Sequence, residues 1–122
     1  MFRTELDRSR RLLKITVAGH STPEEARSCL ESLRSLLTDI QPGFKLFADL
    51  GDLLSMPTTS APYIAQIMES CAEKGVGLVV RLLPPEPSKD IGFAIMSHFH
   101  YAPDIRIVTC ATREEAARLL LE

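Results

Sequence analysis

The fold is decided by residues 76–83, which read Val76-Gly77-Leu78-Val79-Val80-Arg81-Leu82-Leu83. In an extended chain this run places apolar residues on both faces, which is typical of a central strand that is covered on either side or paired to neighbours in a mixed sheet. Prolines at positions 84, 85 and 87 follow immediately and end the run. The stretch therefore predicts an interior strand.

The residues before this run predict a strand and a helix that lead into it. The short, mostly apolar segment Phe44–Leu50 is typical of an interior strand. We expect Thr59 or Ser60 to cap the next helix, which has Pro62 in its first turn and Gly75 as its stop. Between them, apolar residues recur at helical spacing: Ile64, Ile67, Met68 and Cys71.

Further upstream, the chain is predicted to open with a hairpin and a helix. Phe2–Leu6 and Leu12–Ala18 alternate in polarity, the period-2 pattern of half-buried strands, and a charged turn joins them. Thr22-Pro23-Glu24-Glu25 supplies an N-cap, a first-turn proline and a capping-box glutamate. A helix is expected to follow.

Downstream of the central strand, two helices and one strand are expected. Asp90 is the predicted cap of a third helix that ends at Pro103, and Ile105–Val108 is a short last strand. Thr112-Arg113-Glu114-Glu115 repeats the capping-box pattern before the final helix. The order β-β-α-β-α-β-α-β-α predicts a layered α/β fold over residues 1–122 as one domain, with a mixed sheet of about five strands and about four helices.

Composition excludes several functional classes. The 14 basic and 16 acidic side chains give a net charge of −2, without the basic surface that nucleic-acid binding needs. The longest stretch without a charged residue, Leu53–Met68, has 16 residues and is interrupted by prolines, so no membrane span is expected. The first residues lack the apolar region of a secretory signal, and three cysteines without CxxC spacing fit a reducing, cytoplasmic environment.

The succession of elements resembles the STAS family, the sulfate-transporter and anti-sigma-factor-antagonist domains, including its SpoIIAA-like branch. The resemblance covers nearly the whole chain and depends on element order, the strand reaching Asp49-Leu50, the loop into the second helix, and the closing segment from Thr112 to Ala116. It implies a non-enzymatic regulatory module that binds a protein partner and needs no cofactor.

The resemblance also implies a phosphoacceptor. In antagonists of this family the loop before the second helix typically reads Asp-Ser-Ser-Gly, and a partner kinase that is itself the anti-sigma factor phosphorylates the second serine. Here Pro57-Thr58-Thr59-Ser60 occupies those positions, so Thr59 takes the place of the acceptor, while Pro57 replaces the aspartate and Ser60 the glycine. The resemblance thus implies that the partner-binding loop consists of Ser55, Met56, Pro57, Thr58, Thr59 and Ser60. Alternatively, Thr58, Thr59 and Ser60 are ordinary turn and cap residues.

The sequence gives little support for a metal site or for a catalytic cysteine. His98, His100 and Tyr101 concentrate in one segment, but the His-x-His spacing is poor for two metal ligands on one helix face, so no metal site is expected. Cys29 and Cys71 fall on apolar helix faces, which predicts inert thiols, whereas Cys110 at the start of the last helix is the better candidate for a reactive thiol.

Two further hypotheses remain open at this point. Some SpoIIAA-like sequences are similar to lipid-binding SEC14 domains, and an adaptable apolar-ligand pocket between the second and third helices would involve Met56, Tyr63, Met68, Phe93, Met96 and Phe99; residues at such spacing are also ordinary core. A homodimer through the opening hairpin or an exposed helix is the second hypothesis, because a mixed sheet leaves edges that must be paired or covered.

Overall fold

A five-stranded sheet is the centre of the computed structural model, which describes residues 1–121 except the side chains of Pro87, Ile91, His98 and Phe99. The strands lie side by side in chain order, and all neighbours are parallel except the first two, which form an antiparallel hairpin. Their bounds are β1 Phe2–Asp7, β2 Leu12–His20, β3 Lys45–Ser55, β4 Leu78–Leu82 and β5 Arg106–Cys110.

Four helices cover the two faces of the sheet unequally. They are α1 Pro23–Leu37, α2 Ala61–Glu73, α3 Ile91–His100 and α4 Arg113–Leu121. The first three pack on one face, where Leu33 and Cys71 are fully buried against strand residues such as Val79. On the other face α4 alone buries Ala116 and Leu120 in a second, smaller core with Val80. Within residues 1–121, no helix combines the length and the apolar character needed to cross a lipid bilayer.

The predicted element order is confirmed, and the main difference in bounds concerns β3. This strand was expected to end at Leu50 and continues to Ser55. The extension exists because β2 also continues, so that Ala18 lies opposite Asp52 and His20 opposite Ser55, past two irregularities in the register. The other differences are small: β4 begins two residues later than predicted, and β5 ends two residues later.

The predicted helix caps are confirmed only where the capping bonds join residues close together in the chain. The capping box of α1 is confirmed, with the Glu25 N–H donating to Thr22 Oγ1 over 3.2 Å, and Gly75 follows α2 with a φ of 86°. The predicted side-chain caps of α2 and α3 are wrong. Ser60 and Asp90 stand at the N-cap positions without a side-chain cap bond, because a 3-10 turn precedes α2 and the Asp90 carboxylate pairs with Arg81 instead.

Candidate functional site

The segment Ser55–Ser60 connects β3 to α2 and forms one wall of the candidate site. Because β3 is longer than predicted, this segment begins beyond the predicted end of the strand. At its start, His20 Nδ1 and Ser55 Oγ lie 2.7 Å apart, and this contact joins the ends of β2 and β3. After Met56 and Pro57, residues Thr58–Ser60 form the 3-10 turn, in which the Ser60 N–H donates to the Pro57 carbonyl over 3.0 Å. The backbone of this segment is therefore held at both ends.

The side chains of this turn divide sharply in exposure. Pro57, Thr58 and Thr59 are exposed, whereas Ser60 is completely buried. Among the described residues, neither threonine hydroxyl has a hydrogen-bond partner, and the Ser60 hydroxyl is also unpartnered. The three side chains therefore do not cap α2. Of the alternative that they are turn and cap residues, the turn is confirmed and the cap is not. Two free hydroxyl groups remain on the surface.

An apolar groove of about 170 Å³ borders the exposed turn. Its second wall is the start of α3, and Lys89 brings a positive charge into the groove lining. The lining residues are Leu53, Ser55, Met56, Pro57, Thr58, Ala61, Lys89, Gly92, Phe93 and Met96. Four of the six residues assigned to the partner-binding loop thus line one groove.

The residues of the predicted ligand pocket do not share one cavity. Phe93 and Met96 line the groove, while Met68 and Phe93 line a separate internal cavity of about 50 Å³ between the sheet and the helices. Tyr63 belongs to neither lining, and the side chain of Phe99 lies outside the described part of the chain. Small-molecule sites usually measure about 300–1,000 Å³. Both volumes are smaller, so these cavities do not favour the carrier hypothesis.

A buried ion pair fixes the α3 wall of the groove. Arg81 on β4 and Asp90 before α3 are 5% and 8% exposed, and their guanidinium and carboxylate groups are in direct contact. Arg81 Nη1 also donates to Thr109 Oγ1 over 3.2 Å. Because Asp90 directly follows Lys89 and stands two residues before Gly92 in the chain, the ion pair sets where that wall lies. Sequence analysis missed it; the only signal was a lone charge within the apolar run 76–83.

A second charge cluster lies in the middle of β3. The Asp49 carboxylate, 3% exposed as a residue, accepts from the Gly51 N–H over 2.9 Å and from Arg113 over 3.3 Å. Arg113 also contacts Asp52 at 3.2 Å. The cluster attaches the start of α4 to the sheet. It lies in the strand region where the family resemblance had pointed to Asp49.

All three cysteines are buried. Burial raises the pKa of Cys29 to about 11 and that of Cys71 to about 12, as expected for inert thiols. Cys110, the better candidate of the three, is also buried, and desolvation raises its pKa, which disfavours the reactive thiolate. Its thiol lies 3.5 Å from the Arg81 carbonyl.

His20 and His100 contact different groups in different parts of the fold. His100 Nδ1 lies 2.7 Å from a Glu69 carboxylate oxygen, whereas His20 contacts Ser55. The His98 side chain lies outside the described residues, and Tyr101 is buried in the core, where desolvation raises its pKa.

Comparison with solved structures identifies the fold. The chain is similar to an uncharacterised protein of the DUF3478 family with a SpoIIAA-like fold from Shewanella loihica PV-4, at 16% identity and a TM-score of 0.73 over 98% of this chain and 93% of that one. It is also similar to the anti-sigma factor antagonist SpoIIAA in its unphosphorylated form, at 15% identity and a TM-score of 0.66 over 99% and 98% of the two chains.

The Bacillus cell fate determinant SpoIIAA in its phosphorylated form matches at 15% identity and a TM-score of 0.62, over 98% of this chain and 99% of that one. No protein-family model and no curated protein matches the chain. At these identities the likeness establishes the fold, which is SpoIIAA-like, as the sequence resemblance implied.

Proposed function

We propose that this chain is a non-enzymatic regulatory module that binds another protein through the Ser55–Ser60 segment and the adjoining groove. A protein with the same fold acts as an anti-sigma factor antagonist, and its structure has been solved in unphosphorylated and phosphorylated forms. The partner of the present chain is accordingly a kinase-like anti-sigma factor, which contacts the segment and phosphorylates it.

One observation carries this proposal: exposed Thr58 lines an apolar groove, Thr59 is exposed next to it in the chain, and neither hydroxyl has a hydrogen-bond partner among the described residues. A stable interface buries about 800 Å² on each partner and has an apolar centre with a polar rim. The groove supplies Met56, Phe93 and Met96 for such a centre, and Lys89 with Thr58 supplies the rim. Ile95, half exposed on the same helix, extends the apolar surface.

Phosphorylation of Thr59 would switch this surface by changing its charge. A phosphate adds about −1.5 to −2 charges and three strongly hydrated oxygens, which disfavour docking of an apolar partner surface. Thr59 lies two residues before Ala61, the first residue of α2, where the helix dipole stabilises an anion. The phosphorylated state is therefore accommodated by the fold while its binding surface changes.

The first test is phosphopeptide mass spectrometry of the protein isolated from its native cells under several growth conditions. We expect phosphate on Thr59 in at least one condition. Its absence from every condition would contradict the switch, and phosphate only on Thr58 would correct the acceptor by one residue.

The second test separates binding from the switch. Partner proteins recovered by cross-linking in native cells are identified, and the recovered partner is then titrated against purified variants. We expect Thr59→Ala to bind like the unchanged chain, and Thr59→Glu to bind about tenfold more weakly, equivalent to about 1.4 kcal/mol.

Met96→Glu should abolish binding through the groove. Leu121→Glu is the matched control, because Leu121 is an exposed apolar residue on α4, on the opposite face of the sheet. Equal affinity of Met96→Glu and the unchanged chain would refute the proposed surface.

A further inference from the structure

The first strand, β1, lies at one edge of the sheet, and none of its residues lines the groove beside α2 and α3. Because β1 is the first strand of the sheet, β2 is the one strand among the described residues that pairs with it, and within that part of the chain the other side of β1 presents unpaired backbone groups. The strand reads Phe2-Arg3-Thr4-Glu5-Leu6-Asp7, with the charged residues exposed and the alternate residues partly buried. An edge of this kind is a template for another strand.

The ladder with β2 determines which backbone groups face outward. The Ala18 N–H donates to the Met1 carbonyl over 2.8 Å, so residue 1 directs its backbone bonding groups toward β2. In an antiparallel pair the direction alternates along the strand. Phe2, Thr4 and Leu6 therefore present their N–H and C=O groups at the free edge.

We propose that a second copy of this chain pairs with that edge, antiparallel and with Thr4 opposite Thr4. In this register Phe2 of one copy lies opposite Leu6 of the other, and the outward-facing groups of these three residues form six hydrogen bonds between the copies. The two sheets then join into one of ten strands with two-fold symmetry.

Charge complementarity selects this partner and this register. With Thr4 on the two-fold axis, Arg3 of each copy lies opposite Glu5 of the other, in the non-hydrogen-bonded positions where side chains approach most closely. A register centred on Arg3 or Glu5 places two identical charges opposite each other, and one centred on Leu6 places Glu5 opposite Asp7. Of the four registers centred on Arg3, Thr4, Glu5 and Leu6, only the one centred on Thr4 gives two opposite-charge pairs and no like-charge pair.

The surroundings of the edge leave room for the second copy. An open groove of about 290 Å³ separates β1 from α1, and its lining includes Phe2, Thr4 and the small side chains of Ser28 and Ser32. The side chains of Phe2 and Leu6 are partly buried against the core. The contact between Phe2 of one copy and Leu6 of the other would cover the parts of these side chains that remain exposed. The opposite edge strand, β5, carries Arg106 without any acidic residue and is not self-complementary.

Charge reversal tests this dimer by sedimentation equilibrium over a wide range of protein concentrations. Within one chain Arg3 and Glu5 are exposed and 3.7 Å apart, an arrangement that contributes little to folding. Arg3→Glu alone, or Glu5→Arg alone, turns both cross-strand pairs into like-charge pairs and should weaken dimerisation about tenfold or more. The double variant Arg3→Glu/Glu5→Arg should restore it. Arg118→Glu on α4 is the control for charge change and should leave dimerisation unaltered.

Mixing the two single variants provides the decisive comparison. Each alone has like charges at the interface, but an equal mixture forms a heterodimer with both opposite-charge pairs restored, a result that misfolding cannot produce. A monomeric unchanged chain at all concentrations would overturn the proposal, as would a dimer insensitive to both reversals. A mixture that fails to dimerise better than its components would also overturn it.

Discussion

Replacing Arg81 with Met tests whether the buried ion pair holds the α3 wall of the groove. The substitution keeps much of the side-chain volume but leaves the Asp90 carboxylate, which is 8% exposed, without its cation. Removing one partner of a buried pair typically costs about 3–5 kcal/mol. The lost bond to Thr109 adds little, because that hydroxyl is on an exposed residue and can bind water. We therefore expect a loss of about 4 kcal/mol in the free energy of unfolding.

The expected loss is large for this chain. Domains of ordinary size are stable by about 5–15 kcal/mol, so a sizeable fraction of the total would disappear. With an unfolding entropy of about 2.1 cal/mol/K per residue, 4 kcal/mol over 122 residues lowers the Tm by about 15 °C. The measurement is urea unfolding followed by far-UV circular dichroism, with the denaturant slope m checked for constancy.

A double-mutant cycle shows whether the loss comes from the pair. Arg81→Met/Asp90→Leu removes both charges, and buried pairs replaced by apolar residues are often neutral in stability. We expect the double variant to fall within about 1 kcal/mol of the unchanged chain, with a coupling energy of about 3 kcal/mol. The reasoning would be refuted if Arg81→Met cost less than about 1 kcal/mol, or if the two single effects simply added.

Three further predictions concern buried groups. Ser60→Ala should raise the free energy of unfolding by about 1 kcal/mol, because it removes an unpartnered buried hydroxyl; a lower stability in urea unfolding would contradict this. Gly51→Ala should lower it by about 1–2 kcal/mol, since the new Cβ would lie 2.7 Å from Arg113 Nη2 and displace that side chain from Asp49; an unchanged Tm would argue against it. A disulfide reagent that reacts with cysteine thiols should not modify the folded chain at pH 8, and it should modify all three thiols in urea. Fast reaction before unfolding would contradict the raised pKa of the buried cysteines Cys29, Cys71 and Cys110.

The sequence predicts the fold well because the deciding signals are local. The run at 76–83 is apolar on both faces, and the structure places Leu78–Leu82 inside the sheet with every residue buried. The extension of β3 to Ser55 depends on pairing with β2, more than 30 residues away, and has no local signature. Asp90 has the local signature of a cap, and its contact with Arg81 is a tertiary interaction that overrides it.

The candidate site could be predicted only in outline. The family resemblance located the segment Ser55–Ser60, but the exposure of Thr59 and the burial of Ser60 follow from the 3-10 turn that the helical pattern did not indicate. Lys89 was missed because nothing in a proline-rich stretch shows that it faces the groove. The sequence left two dimer surfaces open, the opening hairpin or an exposed helix, and the outward-facing groups of β1 became definable only once its pairing with β2 was known.

The agreement between the spatial and the chain order of the strands has a consequence for synthesis on the ribosome. Each new strand after β1 adds at the edge of the sheet already made, so α1, α2 and α3 can dock on their face one after another as they emerge. The other face has to wait, because α4 follows β5 and alone covers Phe47, Val80 and Leu82. A nascent chain that pauses before α4 therefore displays this apolar strip, the kind of transiently exposed surface that makes folding intermediates prone to aggregate.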